Sequence, residues 1–252
     1  RDKYGPVRTA ICDVICGIAR MLNKDVVMQK IFPLLLELVE DSVPDVKIAA
    51  MKSFITMGEV FGPEILSPLM SHCKGLIEDK KWRIRLAVFE TLKSLTTTFK
   101  NLDTHTKVIE PLFILAFKDR AQVIREFAVG SVPSLVSSFP SEWVIGSFVP
   151  KLIDGLNKDN TYLFKITSLN ALKSVALSLS PDVVNDKIAP AILKATKDSV
   201  ANVRFVALRI LKALTVLNHS SLNQQVKSAL NELVNDPDKD VQYFAFEALQ
   251  AQ

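Results

Sequence analysis

Three cysteines and three histidines are the side chains of this 252-residue chain best suited to nucleophilic, redox or metal chemistry. Cys12 and Cys16 stand four apart and share one face of a helix, a spacing at which two thiolates could begin a metal site. No histidine or second cysteine pair lies near enough in sequence to complete a tetrahedral set. Both therefore read as buried structural thiols. His72 and Cys73 are adjacent, and neighbours on a helix point in divergent directions, so they make a poor base–nucleophile couple. His105 and His219 fall in expected loops. Asn218-His219-Ser220 spells a glycosylation sequon, a weak signal in a chain that otherwise reads as cytosolic. No phosphate-binding glycine loop, zinc-protease or nucleophile-elbow pattern occurs. The 27 carboxylates would support general acid–base chemistry only where two converge. Instead they recur singly at a fixed interval, so an intrinsic enzyme is not expected.

That interval organises the chain. DSVANVRFVALRIL at 198–211 has an aspartate, a short polar stretch and then apolar residues three and four apart, the stripe of an amphipathic helix. The same phrase begins at Asp2, Asp41, Asp79, Asp119, Asp159, Asp198 and Asp236, at spacings of 39, 38, 40, 40, 39 and 38 (41−2, 79−41, 119−79, 159−119, 198−159, 236−198). Six residues after each aspartate stand Arg8, Lys47, Arg85, Arg125, Lys165, Arg204 and Gln242. An apolar residue precedes each of these. The carboxylate can cap the second helix or hold turn amides. The basic side chain can pair with the aspartate of a neighbouring repeat, building a ladder.

Upstream of most turns lies a proline. Pro33, Pro111 and Pro190 precede their aspartates by 8 residues (41−33, 119−111, 198−190) and Pro150 by 9 (159−150), whereas Ser71 and Ser228 stand at the 8-residue offset elsewhere. Such a proline bends a helix rather than abolishing it. Each unit is then a bent helix, an Asp-led turn and a second helix. One hairpin cannot bury its apolar face alone, so neighbours stack. The expected fold is all-α: one right-handed α-solenoid over residues 1–252, with second helices on the concave side and a period closest to HEAT repeats. The chain begins inside a repeat and without methionine, and reads as part of a longer array.

Composition agrees. The chain is 48% hydrophobic with 8 glycines, which favours helix. A net charge of +4 is too mild for a nucleic-acid partner, and aromatics do not interleave with a basic stripe. No apolar run reaches the roughly 18–20 residues of a membrane span, and no leader pattern opens the chain. An odd cysteine count suits a reducing compartment, the cytoplasm or nucleus. No cofactor or metal is expected.

The whole length resembles HEAT repeats. DKKWRIRLAVFETL, IREFA, DNTYL, DSVANVRF and DVQYFAFEAL, in their order and spacing, resemble the C-terminal repeats of the scaffolding (65 kDa regulatory, A-type) subunits of protein phosphatase 2A. In that family the last repeats hold the phosphatase 2A catalytic subunit on their intra-repeat turns, and N-terminal repeats, which this chain lacks, hold a regulatory B subunit. The resemblance implies a partner-binding ridge of Trp82, Arg83, Gln122, Tyr162, Lys165, Val200 and Tyr243. It departs at Gln122, where the family favours an aromatic, and at Lys165, where it favours arginine, whose bidentate fork lysine cannot form. Trp82 stands out without any resemblance: an indole in a charged turn is unusual, and Trp and Arg dominate interface hot spots. Val200 enters by resemblance alone.

The leading expectation is a non-catalytic scaffold that binds the catalytic subunit and joins it to a B subunit. The alternative is a HEAT adaptor of another class, a transport receptor or a cytoskeleton- or chromosome-associated array, gripping peptides on its concave face.

Overall fold

The computed structural model describes residues 2–62, 67–158, 161–215 and 220–250; among these it is helical, with no strand. Two compact units form, Arg1–Ile124 and Arg125–Gln252. In unit 1, α1 (Gly5–Ala19), α3 (Pro44–Phe61) and α5 (Trp82–Phe99) are second helices, and α2 (24–39), α4 (Ser67–Leu76) and α6 (102–117) are first helices. The second helix α7 (Gln122–Ser138) runs across the division between the units. Unit 2 continues with first helices α8 (141–158), α10 (181–195) and α12 (Ser220–Leu233), and second helices α9 (Tyr162–Ala176), α11 (Ala201–Thr215) and α13 (Lys239–Gln250).

Within unit 1 the second helices pack in series, α1 on α3 and α3 on α5, and α2 lies against α3. Within unit 2 both series are seen: α8, α10 and α12 in one layer, and α9, α11 and α13 in the other. The apolar residue five steps after the turn aspartate contributes to this packing in every described repeat but the first, whose Val7 is 43% exposed. Val46, Ile84, Ile124, Phe164, Val203 and Val241 are all buried. Burial of such a side chain contributes about 1.5–3 kcal/mol. Edge-on aromatic pairs join helices: Phe32 with Phe54 at 5.1 Å across the two layers, and Phe205 with Phe244 at 5.3 Å between neighbouring second helices.

The repeat prolines do more than bend. Each first helix that carries one contains a five-residue π-helical turn ending two residues before it: Val27–Ile31 before Pro33, His105–Ile109 before Pro111, Val144–Phe148 before Pro150 and Val184–Ile188 before Pro190. Proline has no N–H for the carbonyl four residues back, and its ring crowds that carbonyl. Widening the preceding turn resolves both problems without ending the helix. The two first helices without a proline at this offset, α4 and α12, are plain α-helix over their described lengths.

Two expectations are corrected. His105 does not lie in a loop: it opens the π turn of α6, is buried, and its Nδ1 lies 3.2 Å from Thr96 Oγ1. Cys12 is buried, but Cys16 is only half-buried, with its Sγ 3.9 Å from the Ser53 carbonyl. His219 and the sequon at 218–220 lie outside the residues whose side chains are described.

Candidate partner-binding turns

Each turn is built around its aspartate. The carboxylate accepts the amide two residues on: Tyr4 N–H to Asp2 Oδ1 at 2.8 Å, Lys81 to Asp79 at 2.7 Å, Ala121 to Asp119 at 2.7 Å, and Val200 to Asp198 at 2.9 Å. This closes an Asx turn and starts the second helix at a fixed place. Among the described residues, four aspartates also receive the sixth-step cation of the preceding repeat. Arg8 donates to both carboxylate oxygens of Asp41 at 2.6 and 2.8 Å, Arg85 to Asp119 at 2.7 and 2.7 Å, and Arg204 to Asp236 at 2.7 and 2.6 Å. The remaining Nη1 of each arginine donates to the carbonyl of its own turn aspartate, Asp2, Asp79 or Asp198. One guanidinium therefore pins two consecutive turns together. Lys165 makes a single bond of 2.6 Å to Asp198. Among the described residues Lys47 takes no part, and Asp79 accepts no cation. Asp159 lies outside the described residues.

The ladder sets the protonation of its carboxylates. The Arg8 and Arg204 hydrogen bonds hold Asp41 and Asp236 below the ordinary carboxylate range, against an opposing effect of burial. For Asp119 and Asp198 burial pushes upward most strongly. The hydrogen bonds from Arg85 or Lys165 and from the turn amide, together with nearby cations, outweigh it and leave both lowered. The ladder aspartates stay charged and engaged in structure.

What the turns leave to solvent differs in kind. In unit 1, Trp82 is the first residue of α5 and 44% exposed, directly after Lys81 in extended conformation. Arg83 points outward and its Nη2 sits 3.3 Å from Asp45 of the preceding repeat. Arg120 donates to the Lys80 carbonyl at 3.0 Å, tying the next turn to this one. Gln122 opens α7 and is exposed. In unit 2, Tyr162 is the first residue of α9 and 43% exposed. Lys165 is mostly covered and held in the ladder. Val200 is half-buried, its amide committed to Asp198. Tyr243 stands one turn into α13 and is 71% exposed.

Sequence reasoning missed exposed Val123 beside Gln122 and exposed Phe246 on α13. Phe246 follows Tyr243 by three residues, which places both on one helix face, and that spacing was the available signal. On the second helices of unit 2, Arg209 and Lys212 lie over the Phe205 and Phe244 rings at 5.8 and 5.3 Å. The equivalent positions of successive repeats there, Asn170, Arg209 and Glu247, repeat no residue type. Burial pushes the Cys12 thiol up to about 11 and the Cys73 thiol up to about 12, which makes both poor nucleophiles. His72 turns away from Cys73, its Nδ1 2.7 Å from Glu40.

The comparisons with known proteins agree with this architecture. The A-type regulatory subunit of protein phosphatase PP2A from Saccharomyces cerevisiae is 28% identical over 123 residues, covering 46% of this chain and 19% of that protein. The matched stretch is thus under a fifth of that relative's length. A solved structure of crescerin, which uses a TOG domain array to regulate microtubules in the primary cilium, matches with a TM-score of 0.63 at 15% identity, covering 86% of this chain and 88% of that one. The crystal structure of Cex1p gives a TM-score of 0.62 at 14% identity, covering 98% of this chain and 44% of that one. No protein-family model matches. The fold is an all-α helical-repeat solenoid, the architecture these solved structures share.

Proposed function

We propose that the protein is a non-catalytic scaffold of the phosphatase 2A type, whose intra-repeat turns hold the phosphatase catalytic subunit. The observation that carries the reading is Trp82: a large indole at the first residue of α5, exposed, beside Arg83, in a turn whose backbone the Arg85–Asp119 rung fixes. A rigid aromatic anchor with an adjacent guanidinium has the composition of an interface hot spot. The partial likeness to an A-type regulatory subunit of phosphatase 2A supports the choice of partner. The chemistry belongs to the partner, and the scaffold contributes geometry. Holding the catalytic subunit beside a substrate-selecting B subunit, bound by further repeats, raises their mutual effective concentration. The reading places the protein in the cytoplasm and nucleus.

A pull-down of purified phosphatase 2A catalytic subunit by residues 1–252 tests it. Retention by the natural sequence and loss with Trp82→Ala/Arg83→Ala is the expected outcome. Retention undiminished by the double substitution removes the turn assignment, and no retention by the natural sequence removes the phosphatase reading.

A further inference from the structure

The second helices α9 and α11 differ from the others in charge. Neither contains an aspartate or glutamate, whereas α1 carries Asp13, α3 carries Asp45 and Glu59, α5 Glu90, α7 Glu126, and α13 Asp240 and Glu247. The basic residues of α9 and α11 are Lys165, Lys173, Arg204, Arg209 and Lys212. Lys165 and Arg204 are committed to Asp198 and Asp236 in the ladder. The other three stand further along. Arg209 lies eleven steps after its turn aspartate (209−198), and Lys173 and Lys212 lie fourteen steps after theirs (173−159, 212−198). The buried stripe runs five, nine, twelve and sixteen steps on, as Val203, Ala207, Ile210 and Leu214 show on α11. With about 3.6 residues per turn, the three cations fall on the opposite side of their helices.

α9, α11 and α13 pack side by side, so this outer side is continuous and α11 has a neighbour on each flank. Ile166 and Phe205, each seven steps on, share the face and are half-buried. Phe205 meets Phe244 of α13 edge-on at 5.3 Å, with Arg209 over the Phe205 ring at 5.8 Å and Lys212 over the Phe244 ring at 5.3 Å. A ring holds a cation in place without neutralising it. A guanidinium stacked on a ring still has its N–H edge to donate. Among the residues seven, eleven and fourteen steps on in the three helices, Glu247 is the acidic one. The face is thus a set of positioned cations beside half-covered apolar side chains.

We propose that this face binds an acidic peptide segment, with carboxylates on Lys173, Arg209 and Lys212 and an apolar side chain of the segment on Ile166 and Phe205. Charge complementarity selects that occupant: two adjacent helices have shed every acid and kept three cations outside the ladder. A nucleic acid fits less well, because the cations lie over ring faces on which a base would stack. The site lies along the second helices, away from the turns assigned to the phosphatase subunit, and does not depend on that assignment.

Fluorescence anisotropy of a short labelled peptide of mixed Glu and Leu, titrated with residues 1–252 at low ionic strength, tests this. Saturable binding is expected, weakened about tenfold by Arg209→Gln/Lys212→Gln and about threefold by Lys173→Gln, and falling as salt is raised. Lys187→Gln/Lys227→Gln, which removes two exposed cations from the first helices α10 and α12, is expected to leave it unchanged. No binding by the natural chain, or equal loss with both double substitutions, overturns the proposal. So does tighter binding of a single-stranded oligonucleotide that the Arg209/Lys212 substitutions abolish, which would give the face to nucleic acid. If circular dichroism shows that losing the cation–ring contacts unfolds the Arg209→Gln/Lys212→Gln chain, Lys173→Gln decides, and undiminished binding by it overturns the proposal.

Discussion

The guanidinium of Arg85 grips the carboxylate of Asp119 through two bonds of 2.7 Å and reaches back with Nη1 to the Asp79 carbonyl, also at 2.7 Å. One side chain thereby fixes the turn that begins its own second helix and the turn that begins the next. Both partners are almost fully buried, so removing one leaves the other charge uncompensated. Arg85→Ala is expected to destabilise the protein by about 3 kcal/mol, measured by denaturant unfolding. Lys165→Arg, which would supply a missing fork to Asp198, is expected to stabilise.

Acid should open the ladder. The aspartates are depressed in the folded state, so each contributes stability that is fully present above the unfolded carboxylate value of about 3.9. That stability is lost as pH falls through the lower folded-state values. The unfolding free energy should show no ladder-dependent change between about pH 8 and 5 and then drop steeply below about pH 4. Arg85→Ala should flatten that drop, and chemical denaturation across the pH series would show it.

At Gly155 the helix α8 lies close against side chains of α9. A Cβ there would lie 2.5 and 2.7 Å from the Phe164 ring and 2.8 Å from Ser168 Oγ. Overpacking of this kind costs about 1–3 kcal/mol. Gly155→Ala, a change that would favour an isolated helix, is expected to lower the melting temperature.

Lys100 ends α5 in the left-handed region, φ 47°, with its amide bonded to the Thr96 carbonyl at 3.1 Å. A side chain is strained there and glycine is not. Lys100→Gly is expected to stabilise by about 1 kcal/mol, raising the melting temperature by about 2–4 °C for a chain of this size.

The repeat frame was legible because its signals are local and periodic. An aspartate that bonds its own turn amide and a cation six residues on recur whether or not the fold is known, and the ladder follows from their spacing. The prolines could be placed in the first helices, but the π turns could not. Sequence shows that an N–H is missing, and only the packed helix shows that it continues by widening. His105 read as loop because it falls where the link between two repeats is expected. Its burial depends on Thr96, a partner in the helix before. Trp82 was legible from its charged neighbours, whereas Phe246 was not, since an aromatic on an amphipathic helix ordinarily belongs to the core. Lys165 shows the limit of position alone: it stands beside the exposed turn, yet its ammonium is spent on Asp198.

The most direct measurement is a calorimetric titration of purified phosphatase 2A catalytic subunit into the natural chain, Trp82→Ala and Arg209→Ala/Lys212→Ala. Circular dichroism would confirm that all three are equally folded. If the turns form the interface, Trp82→Ala weakens binding by about 30-fold, near 2 kcal/mol, and the second-helix pair binds as the natural chain does. Equal affinity for Trp82→Ala and the natural chain, or loss confined to the second-helix pair, would contradict recognition by the turns.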